Sequence, residues 1–252
     1  MSAGDTRPAL LVTGGSRGIG QATAALAARE GWNVAVTYVS DGAAGAQAVR
    51  DVENAGGTGV ALRCDVREEA EVVAAFDAAE EALGPLSAVV VNAGVVAPLS
   101  RLADMEAERL RMVTDTNVLG ALLTAREAMR RLPRSPRADR SVVILSSVAA
   151  RLGSPGAFVD YAASKGAMDT LTRGLAVEGA ADGVRVNAVR PGLIETEIHA
   201  AAGRPDRARE LAGEVPMGRP GSAPEVAETI VWLMGASASY VTAAIVDVAG
   251  GR

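Results

Sequence analysis

The chain has 252 residues, 49% hydrophobic but only 3% aromatic, and a formal net charge of −5. That length is near the upper end of what one hydrophobic core serves, and so few rings leave the core to Ala, Val and Leu. The acidic balance argues against nucleic acid as a partner, and the lone Cys64 excludes an internal disulfide and reads as a small buried hydrophobe suited to a reducing cytosol. Met1 to Pro8 has no apolar stretch resembling a signal peptide and no run approaches a membrane span, so a soluble, cytoplasmic protein without a membrane partner is expected.

Short apolar runs alternate with longer helical patterns along the chain. Strands are predicted over Ala9–Thr13, Asn33–Tyr38, Gly59–Arg63, Ala88–Val91, Ser141–Ser146, Val184–Val189 and Ala244–Val248. The helical segments between them are Ile19–Glu30, Gly42–Ala55, Glu68–Leu83, Met105–Leu132, Tyr161–Ala181 and Ala223–Met234. Several strands are unbroken Val/Leu/Ile runs, as parallel strands covered on both faces require. The alternation predicts one doubly wound α/β domain, residues 1–252, with a parallel seven-stranded sheet flanked by helices. Two stretches break the rhythm. Arg130 to Arg140 is a basic, proline-containing loop, read as a solvated connection or as a surface for an acidic partner. Residues 194–220 are long and irregular, with a short helical core around Arg207–Gly213, and follow a strand end, where a substrate lid belongs.

Gly14, Gly18 and Gly20 span the turn from the first strand into the start of the first helix. Glycines there let the backbone approach a ligand, and the free N–H groups of a helix N-terminus favour a pyrophosphate, so the turn predicts dinucleotide binding. At the end of the second strand an Asp or Glu would bind the ribose 2′-hydroxyl of NAD. Here the run is Thr37-Tyr38-Val39-Ser40, and Asp41 falls past the turn. With Arg17 in reach of a 2′-phosphate, NADP(H) is the expected cofactor and NAD(H) the alternative.

Lys165 is the only lysine, the other basic residues all being arginine, and it follows Tyr161 by four positions. On a helix the two share a face. An ammonium beside a phenol favours the phenolate and draws its pKa towards neutrality, which is what acid–base work by tyrosine needs. No His/Cys/Asp cluster suits a metal, and none is expected.

In chain order, Thr13-Gly-Gly-Ser-Arg-Gly-Ile-Gly20, Cys64-Asp65-Val66, Asn92-Ala-Gly94, Asn117, Ser146-Ser147, Tyr161-x-x-x-Lys165, Arg190-Pro-Gly192 and the closing Val246 to Gly251 resemble the short-chain dehydrogenase/reductase family over essentially the whole chain. They are most similar to its 3-oxoacyl-carrier-protein reductases and sugar dehydrogenases. The resemblance implies a Rossmann-type fold and hydride transfer between NAD(P) and a carbonyl or alcohol. Tyr161 is then the acid/base, Lys165 lowers its pKa and binds the nicotinamide ribose, Ser147 holds the substrate oxygen, and Asn117 places a water that relays protons to the lysine. It also implies cofactor contacts from Gly14, Ser16, Arg17, Gly18, Ile19 and Gly20, from Tyr38 and Ser40, from Asp65 and Val66 beside adenine, from Asn92, Ala93 and Gly94, and from Tyr161, Lys165, Pro191, Gly192, Ile194 and Thr196 around the nicotinamide. The Ser147-to-Tyr161 spacing is one residue longer than in many members, so the Arg151–Asp160 loop is expected to be remodelled.

The substrate wall is expected from residues near strand ends: Val96, Phe158 and Ile198 with Ser147 and Tyr161, and around them Val95, Leu99, Val159, Leu193 and His199. Their apolar character favours a moderately hydrophobic small carbonyl or alcohol compound. An acyl-carrier protein is weighed as a partner, since Arg130–Arg140 offers it positive charge while Glu178 and Asp182 oppose it. Apolar residues on the two long helical segments, and the family's habit, imply a homotetramer. The rival readings are an NAD-dependent oxidative alcohol or sugar dehydrogenase and a non-catalytic dinucleotide sensor, the latter having no use for an activated phenol.

Overall fold

The computed structural model describes residues 7–252, apart from the side chains of His199 and Ala201; the first residues, on which the reading of the N-terminus rests, lie outside it. In chain order the elements are β1 (Ala9–Val12), α1 (Gly18–Arg29), β2 (Asn33–Tyr38), α2 (Gly42–Asn54), β3 (Gly59–Arg63), α3 (Glu69–Leu83), β4 (Leu86–Val91), α4 (Ala107–Thr114), α5 (Gly120–Arg131), β5 (Arg140–Leu145), α6 (Ala149–Leu152), α7 (Val159–Ala180), β6 (Val184–Pro191), β7 (Ile194–Glu195), α8 (Ile198–Ala201), α9 (Arg207–Glu210), β8 (Gly221–Ser222), α10 (Ala223–Met234) and β9 (Ile245–Val248). Seven strands form a parallel sheet in the order β3-β2-β1-β4-β5-β6-β9.

Side chains alternate faces along a strand, and here both faces are buried. Ala9 and Leu11 of β1, Val89 and Val91 of β4, and Val142 and Ile144 of β5 join one core with Phe76 of α3, Ala125 of α5 and Met168 of α7. Their neighbours Leu10, Val12, Val90, Val143 and Leu145 join a second core with Ala24 and Ala27 of α1, Val52 of α2 and Ile230 and Leu233 of α10. The unbroken apolar runs are thus two alternating patterns superposed. At roughly 1.5–3 kcal/mol for each fully buried Val or Leu, either face alone would be a costly exposure.

The predicted helix Met105–Leu132 is divided. Between α4 and α5 lies a π-helical turn, Asp115–Leu119, followed after α5 by a 3₁₀ turn over Leu132–Arg134. The wider turn swings Asn117 inwards until it is 1% exposed. Residues 194–220 are closed at the base by β7 and β8, which pair in parallel. The helical core expected at Arg207–Gly213 is shorter, α9 then a 3₁₀ turn over Ala212–Glu214, and Leu193, Ala208, Val215 and Leu211 give the segment a small core of its own.

The basic segment faces solvent over much of its length, with Arg130, Arg134 and residues 136 to 139 exposed, while three of its arginines are tied back to the protein. Arg131 pairs with Asp77 and Glu80 of α3 at 2.8 and 2.9 Å and covers the Phe76 ring, Arg130 pairs with Glu127, and Arg140 donates to the Pro133 carbonyl.

Candidate active site

The strand order reverses between β1 and β4, and the crevice at that point is where open α/β sheets bind ligands. A cleft of ≈ 600 Å³ runs along this edge, from the glycine turn to α7 and the lid. Gly14 and Gly18 have φ of +62° and +54°, a region that disfavours other residues. A Cβ on Gly20 would stand 2.6 Å from the Gly14 carbonyl and 2.7 Å from Asn92 Nδ2. The turn therefore cannot carry side chains at these points, and it faces the cleft with Ser16, Arg17 and Ile19 beside the N-terminus of α1. This cradle fits a dinucleotide's pyrophosphate.

Asn92 holds the turn in place. Its Nδ2 donates to the carbonyls of Thr13 and Gly14 at 2.8 and 2.9 Å, while its backbone N–H and that of Ala93 donate to Thr13 Oγ1. Gly14 N–H in turn donates to Thr37 Oγ1 at 3.0 Å. Thr13 and Thr37 were not singled out by sequence reasoning; both are strand-end threonines, whose hydroxyls are apt to bond nearby backbone.

At the far end of β2, Thr37, Tyr38 and Val39 line the cleft but Ser40 does not. The Tyr38 ring packs towards α2, where a Cβ on Gly45 would meet it at 2.7 Å. Asp41 caps α2, accepting from Ala44 N–H at 2.9 Å, so the nearest acid is engaged elsewhere. Asp65 was expected beside adenine. Both its carboxylate oxygens accept from Arg67, at 2.5 to 3.1 Å, and this side-chain hydrogen bond holds its pKa below the usual carboxylate value. Arg67, which the motif reading passed over, also lines the cleft, as does Val66.

Ser147, Tyr161 and Lys165 come together at the ends of β5 and α7. Ser146 and Ser147 separate cleanly: Ser146 Oγ is committed to Asp169 at 2.7 Å and to the Lys165 carbonyl, whereas Ser147 hydrogen-bonds Tyr161 and accepts from Ala149 N–H. Lys165 is 5% exposed, its Nζ donates to the Leu145 carbonyl at 2.6 Å, and it lies 5.6 Å from the Tyr161 ring centroid. Gly94 faces both groups behind it: a Cβ there would stand 3.4 Å from Asn117 Oδ1 and 3.7 Å from Lys165 Nζ. Asn117 accepts from Val95 N–H and donates to the Val95 carbonyl and to Ser164 Oγ, at 2.8, 2.9 and 3.1 Å. Ser164 in turn donates to the Tyr161 carbonyl at 2.7 Å.

The protonation states differ from the sequence expectation. Burial raises the Tyr161 pKa, and the hydrogen bond from Ser147 only partly opposes it. Lys165 does not set the balance because it suffers burial itself, which draws its ammonium down to about 8 against the opposing charge of Asp169.

Around the nicotinamide end, Pro191, Ile194 and Thr196 line the cleft with Gly192. Gly192 also has a structural demand, since a Cβ would lie 2.7 Å from Ala249 Cα. Val95, Val96, Phe158, Leu193 and Ile198 form apolar walls, but Leu99 and Val159 do not reach the cleft, and the His199 side chain lies outside the described residues. Sequence reasoning missed Val148 and Leu152, which line the cleft, and Leu152 closes the single turn α6. The Arg151–Asp160 loop folds back through left-handed Gly153, Ser154 and Gly156.

Residues 14–252 match the family model described as enoyl-(acyl carrier protein) reductase. The chain is 49% identical to the uncharacterized oxidoreductase YgfF of Escherichia coli, over 96% of this chain and 98% of that protein. It is 37% identical to the cis-4-hydroxycyclohexanecarboxylate dehydrogenase of Sinomonas cyclohexanicum, over 96% and 94%. Among solved structures it superimposes on a short-chain type dehydrogenase/reductase from Mycobacterium marinum with a TM-score of 0.89 and 31% identity, covering 97% of this chain and 94% of the other.

Unfolded, Lys165 returns to its ordinary value of 10.5. Between about 8 and 10.5 the unfolded chain thus binds more protons than the native one, so stability rises with pH across that window, and below it the buried charge exacts its full cost. Lys165→Met removes the titration. Relative to that variant, the native protein is expected to gain roughly 2–3 kcal/mol between pH 7 and pH 10, read from urea unfolding at both. A stability difference that stays constant with pH would contradict the buried ammonium.

Proposed function

This chain belongs to the short-chain dehydrogenase/reductase family, oxidoreductases that act on CH–OH groups with NAD(P)(H), and from that premise we propose that it is an NADP(H)-dependent reductase of small carbonyl compounds with Tyr161 as general acid. The observation that carries the reading is the convergence of Ser147, Tyr161 and Lys165 at one point of the cleft that begins at the glycine turn. When bound, the cofactor supplies a hydride to the substrate carbon.

The protein's own groups deal with the oxygen. Ser147 Oγ, positioned by Ala149 N–H, holds the carbonyl oxygen beside the phenol. Tyr161 gives its proton to that oxygen as the carbon is reduced, and the phenolate left behind is stabilised by the neighbouring ammonium of Lys165. Burial, which raises the Tyr161 pKa, keeps on the phenol the proton that reduction of the carbonyl consumes. Asn117, fixed on both polar atoms of Val95, holds the loop of Asn92 to Val95 against α7 and lies beside the lysine for proton return.

NADP(H) is favoured over NAD(H) because Asp41 is spent on capping α2 while Arg17 stands exposed at the start of α1. We assign Arg17 to the 2′-phosphate, and Val66 and Arg67 to the adenine side. The apolar walls suit a moderately hydrophobic substrate, and the relative named for cis-4-hydroxycyclohexanecarboxylate points to a ring-bearing secondary alcohol or ketone. A freely diffusing substrate is favoured over one carried on an acidic protein, because the arginines at 130, 131 and 140 are engaged internally. Residues 194–220 serve as the lid, with their paired ends as its base. No helix among the described residues is long and apolar enough to cross a membrane, and the free, buried Cys64 fits a cytoplasmic location. Exposed Met112 on α4, Leu119 on the π-helical turn, Leu122 on α5 and Val177 on α7 supply apolar surface for a homotetramer.

Tyr161→Phe is expected to leave NADPH affinity within about twofold while lowering kcat by 10²-fold or more. Undiminished turnover in that variant would end the acid assignment, and a native protein that binds NADPH but reduces no ketone would favour a sensor. Nicotinamide fluorescence should show tighter binding of NADPH than NADH, with Arg17→Ala weakening NADPH about 10- to 100-fold and leaving NADH unchanged; NADH preference would reverse the cofactor assignment. Light scattering at micromolar concentration should return a tetramer mass, and a monomer mass would remove the assembly.

A further inference from the structure

The lid contains four arginines, and three of them have partners. Arg204 pairs with Glu210, Arg209 with Glu195 at 2.7 Å and Arg219 with Glu225 at 2.6 Å. Arg207 makes neither an ion pair nor a side-chain hydrogen bond among the described residues. It lies partly buried in the wall of the cleft, its guanidinium 5.4 Å from the centroid of the Phe158 ring. A ring face satisfies the charge weakly and leaves the five N–H donors unanswered.

Of the other charged groups along the cleft, Arg17 belongs to the glycine turn and Lys165 donates to the Leu145 carbonyl under the opposing charge of Asp169. Asp65 and Arg67 neutralise each other, and Glu197 stands by the glycine turn, 3.6 Å from where a Gly18 Cβ would be. Arg252, the other cation of the lid end, pairs with Glu214 at 2.7 Å. Arg207 is therefore an arginine in the apolar wall of the cleft with no ion-pair partner among the described residues, Glu214 and Glu210 acting on it only from beyond ion-pair distance. Burial first, and then the positive charges of Arg252 and Arg204, press its pKa down, and the carboxylates of Glu214 and Glu210 oppose them only in part. A cation in that state gains most from an incoming anion. Phe158 stands at the N-terminal end of α7, three residues before Tyr161, and both line the cleft with Arg207.

We infer that Arg207 is a substrate-recognition residue, and that the cleft takes a carbonyl or secondary-alcohol compound bearing one carboxylate, whose charge pairs with the Arg207 guanidinium while its apolar body rests against Phe158. The inference rests on the reading of the cleft as a ketone-reducing site and names the substrate class for it. One unpaired guanidinium matches a monoanion in charge and, through its planar fork, in shape. Arg207 takes no part in proton or hydride transfer; it sets which substrates are held.

The test compares 4-oxocyclohexanecarboxylate with cyclohexanone, using NADPH and the full-length protein. The native enzyme should prefer the acid in kcat/KM about 10- to 100-fold, through KM. Arg207→Gln should abolish that preference and leave cyclohexanone turnover within about twofold, while Arg207→Lys should restore part of it. Calorimetric binding of cyclohexanecarboxylate against cyclohexanemethanol provides a readout that needs no turnover, and the variant should lose selectivity for the acid there too. Reduction of both ketones without preference would overturn the inference and leave the proposed activity standing. Acid-selective binding that depends on Arg207, without reduction of either ketone, would uphold the inference and remove the activity. Equal loss for both compounds in Arg207→Gln would show that the residue merely props Phe158, and would also overturn it.

Discussion

The site depends on a stitch between two strands that diverge. β1 and β4 run side by side, but the chain leaves them towards opposite edges of the sheet, which opens the crevice. Thr13 and Asn92 close the bottom of that opening. Thr13 Oγ1 donates to the Val90 carbonyl and accepts from the N–H groups of Asn92 and Ala93, and Asn92 Nδ2 returns two bonds to the carbonyls of Thr13 and Gly14. The same amide fixes the start of the glycine turn and bars a side chain at Gly20. Few atoms thus position both the cradle on one side and Gly94, Asn117 and Lys165 on the other. Each bond is worth only about 1 kcal/mol net, but a buried partner left unpaired costs more than the bond contributes, so the arrangement resists partial loss.

A second constraint is the cost of Lys165. A chain that otherwise uses arginine for every basic position keeps one ammonium and buries it. Arginine would remain charged at any working pH and would bring five donors into a space that offers one strand carbonyl. Lysine fits because it is a compact charge whose pKa yields to burial. Asp169 limits how far it yields, and Asp169 is itself gripped by Ser146 and by Arg190, whose guanidinium approaches it at 2.7 Å. Arg190 then reaches Asp247 on β9. The ammonium therefore stands at the head of a polar chain crossing three elements. Such a group destabilises the fold locally while suiting the chemistry assigned to it.

Much of this was legible in the sequence because it rests on local regularities. The sheet strands could be located from short apolar runs, and α2, α7 and α10 from the helical patterns between them. The grouping of Ser147, Tyr161, Lys165 and Asn117 came from the resemblance. What could not be read depends on long-range pairing or on titration in a buried setting. The π-helical turn at Asp115–Leu119 has no signal of its own in a continuous helical pattern. Nothing in Asp65-Val66-Arg67 says that the carboxylate will turn to the arginine two positions on rather than to a ligand. The tyrosine's pKa was expected to fall from adjacency to a cation, but the same burial that brings the two together acts on both, raising one and lowering the other. Leu99 and Val159 were assigned to the pocket by nearness in sequence to strand ends and to Tyr161, which does not fix the direction of a side chain.

The lid shows why specificity is hardest to read. Its ends are pinned by the pairing of Ile194–Glu195 with Gly221–Ser222, and Leu193, Ala208, Leu211 and Val215 hold its middle. The segment is therefore shaped rather than loose, although its sequence has neither helical nor strand period. Its charges look in sequence like an ordinary solvated mixture of Arg, Asp and Glu. Only the fold distinguishes an arginine paired with a glutamate six residues away, as in Arg204 with Glu210, from one whose nearest contact is a ring and which has no ion pair among the described residues. The cofactor cradle is built from regular elements common to any dinucleotide, whereas a substrate is read by irregular backbone where each side chain's partner is decided singly. An arginine without an ion pair in such a segment carries more information than the paired ones around it, because the desolvation it suffers is only partly offset until a ligand arrives.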